Sequence, residues 1–178
     1  MGRYALWYTE AMSTAILEAP TREKVVFAPL PRRLSATDYL AMDSAAERKS
    51  EFILGDIVPL ADATRTHGTI AGNIVSELIY QACERDCDVF FSDTRIRAGG
   101  FYYPDAGIVC GDYLVDTLHI DTLTNPTVLI EVLSPSTEHI DRGIKLRDYM
   151  RLASLRAYLL VSQDAPRVEQ YERGADGD

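Results

Sequence analysis

The chain has 178 residues, 47% of them hydrophobic and 25% charged, with a formal net charge of −9. This is the composition of one ordinary globular domain with a sizeable core, and it argues against a broadly basic surface that would grip nucleic acid through many phosphates. No apolar run approaches the roughly 18 residues of a membrane-spanning helix, and no secretion signal opens the chain, so a cytoplasmic protein without a membrane partner is expected.

Residues 1–33 show no steady period and read as an N-terminal arm, with Met12 a second candidate start. Residues 34–178 read as a single domain. Ser35 and Asp38 mark a helix start that carries Tyr39, Leu40 and Met42. Two apolar runs, Phe52–Leu54 and Ile57–Leu60, flank Gly55-Asp56 and predict a two-residue hairpin, with Glu51 at the start of its first strand. From Thr66 to Arg85, Ile70, Ile74, Leu78 and Ala82 recur at helical spacing, with His67 near the beginning. Cys87–Phe91 and Thr94–Ala98 read as short β-rich runs, the strands expected near 88–98, and Gly99-Gly100 turns into a strand near 101–110. Residues Gly111 to Asn125 read as a polar surface connection. Pro126 opens the strand VLIEVL, and Ser134–Thr137 ends it and supplies a cap. In the helix that follows, over Glu138–Leu152, Asp141, Lys145 and Tyr149 share one face. Arg156 to Ser162 predicts a buried strand and Val168 to Glu172 an exposed one. The alternation predicts one mixed central sheet flanked by helices. Cys83, Cys87 and Cys110 are an odd count with no second metal-ligating pair, and read as small buried thiols.

Two residues do not suit their surroundings. Asp105, after Pro104, and Glu131, inside VLIEVL, are acids in strands that ought to be buried, which is costly unless they are paired or hold a cation. Oxygen donors of this kind suit Mg²⁺ or Mn²⁺, and the ammonium of Lys145 could orient a water or stabilise phosphate charge. The same two acids could also act as the acid and base of a metal-free hydrolase. Alternatively, the fold could be a binding module without activity.

Pro104-Asp105 and Glu131 resemble the PD-(D/E)xK nucleases, except that Leu133 stands where the motif has lysine. The run Glu51–Val58, His67, Ser92-Asp93, Tyr103-Pro104-Asp105, Glu131–Thr137, Asp141-Arg142, Lys145-Leu146 and Tyr149 together resemble the Uma2 family of restriction-endonuclease-like proteins. The resemblance spans about Leu34 to Tyr171, and typical members continue past the end of this chain. It implies an αβββαβ core, of the α/β (α+β) class, and a Mg²⁺-dependent endonuclease acting on nucleic acid, DNA foremost. Asp105, Glu131 and the Val132 carbonyl would hold the metal. Lys145, moved from strand to helix, would be catalytic, and Glu51, His67, Asp141 and Tyr149 would support the site. A homodimer is expected, because pairing would gather scattered arginines into one surface.

Overall fold

The computed structural model describes residues 33–173; the expected arm, apart from Arg33, lies outside the described residues. Helix α1 (Ala36–Ala45) begins with a reciprocal cap, Ser35 accepting the Asp38 N–H while Asp38 accepts the Ser35 N–H. Such a cap stabilises a helix by about 1 kcal/mol. It aims Tyr39 inward, where the ring stacks on Phe52 and Phe101 with centroids 5.0 and 5.2 Å away.

Strands β1 (Ser50–Ile53) and β2 (Asp56–Pro59) form the expected hairpin, but Ile53 pairs with Asp56. The turn is therefore Leu54-Gly55 rather than Gly55-Asp56. Both turn residues have positive φ, 54° and 93°, as the right-handed twist of a tight hairpin demands. Helix α2 (Arg65–Ala82) starts at Thr64, whose side chain accepts the His67 N–H.

Beyond it run β3 (Cys87–Phe91), β4 (Arg95–Ala98), β5 (Gly100–Tyr102), β6 (Ala106–Cys110), β7 (Thr122–Leu123) and β8 (Val128–Val132). A helical segment follows: α3 (Glu138–Ile140), a π-helical turn (Asp141–Lys145) and α4 (Leu146–Tyr149). Strands β9 (Ala157–Val161) and β10 (Val168–Glu172) complete the described residues.

The fold is mixed α/β, but it has two mixed sheets where one was expected. Their orders are β2-β1-β5-β4-β7 and β10-β9-β8-β6-β3. The two short runs expected at 87–91 and 94–98 fall in different sheets, and the long strand expected at 101–110 divides between them. The run from Phe101 to Cys110 breaks at Tyr103–Asp105, because Pro104 has no N–H to donate to a ladder. The run near 88–98 breaks at Ser92–Thr94, where Ser92 takes φ 27°. One further correction concerns the 111–125 connection. Its Thr122 and Leu123 are buried and pair in parallel with Arg95 and Ile96. Two residues are too few for a period to be seen.

The core lies between the sheets and the helices. Leu129, Tyr158 and Leu160 of the second sheet pack there with Tyr102 of the first and Tyr149 of α4. Tyr149 meets Tyr102 and Tyr158 edge-on, with centroids 5.3 and 5.1 Å away, and so ties helix and sheets together. Helix α2 lies on β3, β6 and β8. The cysteine reading is also corrected. Cys87 and Cys110 face each other across the β3–β6 ladder and form a disulfide, while Cys83 is exposed. Strand register, which a residue count does not carry, decides that pairing.

Candidate active site

Strands β6 and β8 are antiparallel neighbours, and Ala106 pairs with Ile130. The residues just before Ala106 and just after Ile130 therefore leave the ladder side by side. Those residues are Asp105 and Glu131. Asp105 Oδ2 accepts the Val132 N–H at 2.7 Å, and Asp105 Oδ1 is 2.9 Å from His67 Nε2. The bond to Asp105 is the foremost influence on the imidazole and raises the His67 pKa, against the pull of burial. Just past β8, Leu133 donates to Val161 of β9, so Val132 turns its own N–H and carbonyl to the opposite side, towards Asp105.

Glu131 lies deeper, 3% exposed, and Lys145 reaches it from the π-helical turn. Turns of this kind recur at functional positions. Lys145 Nζ and the Tyr149 hydroxyl both donate to Glu131 Oε1, at 3.0 and 3.1 Å. The same ammonium is 3.0 Å from Glu51 Oε1 and 3.2 Å from Asp141 Oδ1. Burial alone would push the lysine pKa down; Glu131, Glu51 and Asp141 outweigh it and hold the ammonium well above its usual range. Glu131 is pushed well above the carboxylate range, first by burial and then by the neighbouring Asp141, Asp105 and Glu51, against the opposing pull of Lys145.

Glu51 also accepts the Tyr103 N–H at 3.0 Å, so it joins the segment that leads into Asp105 to the helix that carries Lys145. Asp141 is 2% exposed. Its Oδ2 accepts the Thr137 hydroxyl, its backbone carbonyl accepts the Tyr158 hydroxyl, and its Oδ1 is held by the ion pair with Lys145. All the residues proposed from sequence thus meet in one place. Asp105, Glu131, Val132, His67, Asp141 and Lys145 line a single cavity of about 400 Å³, and Glu51 and Tyr149 stand behind it. Asp141 and Lys145, which their spacing puts on one helix face, are both buried. Sequence reasoning missed Gln163, which donates to the Leu133 carbonyl and accepts the Thr64 hydroxyl across the cavity mouth. An amide just after a strand carries no pattern that would single it out.

The donor set was tested against the expected cation. Among the described residues, no three His, Cys, Asp or Glu side chains converge as a ready cage. The reason is the Lys145 ammonium, which stands among Glu51, Glu131 and Asp141. Besides it and His67, the cavity presents hard oxygen: Asp105, Glu131, the Val132 carbonyl and Asp141, whose Oδ1 is shared with Lys145. Mg²⁺ keeps most of its waters and needs few protein oxygens, so these residues fit Mg²⁺ or Mn²⁺.

Comparison with known proteins places the chain in a family. A family model described as "Uma2: Putative restriction endonuclease" matches residues 36–178. Two uncharacterised proteins of Synechocystis sp., sll1609 and slr1290, are 32% and 31% identical to the chain. The alignments cover 80% and 85% of it, and 82% and 80% of those proteins. The crystal structure of a putative nuclease belonging to DUF820 from Anabaena variabilis superposes with a TM-score of 0.56 at 19% identity, over 71% of this chain and 78% of that one, which shows a common fold. The chain belongs to the Uma2 family.

Proposed function

We propose that this protein is a Mg²⁺- or Mn²⁺-dependent endonuclease that hydrolyses nucleic-acid phosphodiester bonds. One observation carries the reading: Asp105, Glu131 and Lys145, from three separate elements, converge on one cavity where buried carboxyl groups outnumber the single lysine. Such an excess is costly without a further cation.

Asp105, Glu131 and the Val132 carbonyl would hold the metal, which when bound neutralises phosphate charge and makes a bound water more acidic. The Val132 N–H and His67 fix the rotamer of Asp105. Tyr149 and Lys145 fix Glu131. Lys145, kept protonated by three carboxyl groups, does not accept a proton; its ammonium orients the attacking water or stabilises charge that develops on the phosphate oxygens. The closed floor of the cavity keeps bulk water from these groups and so strengthens their interactions.

Cleavage of DNA and RNA by purified protein with Mg²⁺ or Mn²⁺, set against Asp105→Ala, Glu131→Ala and Lys145→Ala, tests the assignment. Equal cleavage by all four proteins would refute it. The net charge of −9 favours a second reading, a nuclease fold kept for binding; it gains ground if the wild type cleaves nothing. Pairing into a homodimer would concentrate the arginines, and light scattering at micromolar concentration tests that.

A further inference from the structure

The substrate class of the site follows from its depth and its walls, if the phosphodiesterase reading above holds. The floor groups Glu131, Asp141 and Lys145 are 3%, 2% and 5% exposed, so a phosphate must enter the cavity to meet them. Among the described residues, Lys145 is the one Lys or Arg in the lining, and the mouth is otherwise neutral or acidic, with Thr64, Ser136 and Asp62. A protein that holds duplex nucleic acid does so by neutralising phosphates on its outside; among the described residues this mouth offers no Lys or Arg for that. A duplex also keeps its phosphates on a broad cylinder, and chemistry at a buried site requires unpaired or extruded nucleotides.

The cavity does not end at the acids. A groove of about 430 Å³ continues from it along α2 and shares Ala63, His67, Ser92 and Asp105 with it. Its far walls are Gly68, Gly72, Val75 and the 53% exposed ring of Phe91. A Cβ added at Gly68 or Gly72 would meet nothing within 4 Å, so these glycines leave space that no side chain among the described residues fills. An apolar slot with an aromatic wall, opening onto a phosphate-cleaving centre, suits the flat face of a base. Unpaired strands are held by such stacking, with any sequence.

We propose that the substrate is an unpaired nucleic-acid strand, whose scissile phosphate enters the acid cavity while the base of an adjoining nucleotide lies in the groove lined by Phe91 and Gly72.

Three substrates with Mg²⁺ or Mn²⁺ test this: a fluorescent single-stranded oligonucleotide, a covalently closed circular duplex, and bis(p-nitrophenyl) phosphate, a diester without bases. The single strand should be cut at least about tenfold faster per site than the closed circle, the scale of one stacked base. Phe91→Ala empties the groove and Gly72→Leu fills it. Each should lower kcat/KM for the single strand about tenfold more than for the small diester, with thermal unfolding showing that both variants fold. Closed circles cut as fast as single strands, or variants that cleave the single strand like wild type, would overturn the inference and leave the phosphodiesterase reading standing. If none of the three substrates is hydrolysed, that reading fails and the inference falls with it.

Discussion

Two buried ionic clusters stand a few residues apart in this protein, and they are built on opposite rules. In the first, Asp43 of α1 faces Arg95 of β4. Asp43 Oδ2 accepts Arg95 at 2.7 Å and the Tyr103 hydroxyl at 2.7 Å, while Oδ1 accepts the N–H and hydroxyl of Ser50. Arg95 also donates to Thr122. One acid meets one base, both carboxyl oxygens are used, and neither residue lines the cavity. In the second, three carboxyl groups, those of Glu51, Glu131 and Asp141, share the Lys145 ammonium. A closed, balanced cluster specifies how elements pack. An open cluster with surplus carboxyl groups is costly to the fold unless something else binds there. Tyr103 borders both, its hydroxyl in the first and its N–H on Glu51.

The contrast predicts opposite phenotypes. The largest effect should come from the open cluster: Glu131→Ala or Lys145→Ala should lower cleavage by about a hundredfold or more, as the loss of a group that stabilises transition-state charge does. Arg95→Met should instead leave Asp43 buried and unpaired and cost about 3–5 kcal/mol in urea unfolding, with little change in the chemistry of the folded fraction. If Arg95→Met retained full stability, the view of the first cluster as a packing device would be wrong.

Away from both clusters, reduction of the Cys87–Cys110 disulfide, which closes 23 residues of chain, should lower stability by about 3 kcal/mol. An unfolding series with and without dithiothreitol reads this. Divalent cation at about a hundred times its dissociation constant should raise the unfolding free energy by about 2.7 kcal/mol, and this gain should vanish in Asp105→Ala. A gain that survives in that variant would place the cation elsewhere.

The smallest effect concerns pH. Burial, then the Asp43 charge, pushes Tyr39 up to about 12, and burial likewise raises Tyr103, aided by its bond to Asp43. A group whose folded pKa lies above its unfolded value of about 10 supports the fold below pH 10 and loses that support as pH rises through the folded value. Stability should therefore fall between pH 10 and 12, and Tyr39→Phe should make the fall shallower.

Much of this was readable from the chain itself. Local signals determined α1 through Ser35 and Asp38, α2 through its apolar period, and the hairpin through Gly55, because caps, periods and turns depend on neighbours within a few residues. The Asp105, Glu131 and Lys145 set was legible for a related reason. An acid inside an apolar strand is costly wherever that strand lies, so the sequence alone marks it. What needed tertiary structure was every fact about register or depth. The division of Phe101–Cys110 between two sheets, the burial of Thr122 and Leu123, and the facing of Cys87 and Cys110 depend on which strands pair, and pairing joins residues far apart in sequence. The depth at which Glu51 and Asp141 lie also needed tertiary structure, since spacing shows which side chains share a face but not what covers that face. Here β1 and β8 cover it, and they turn a surface lysine pattern into a buried ammonium among three carboxyl groups.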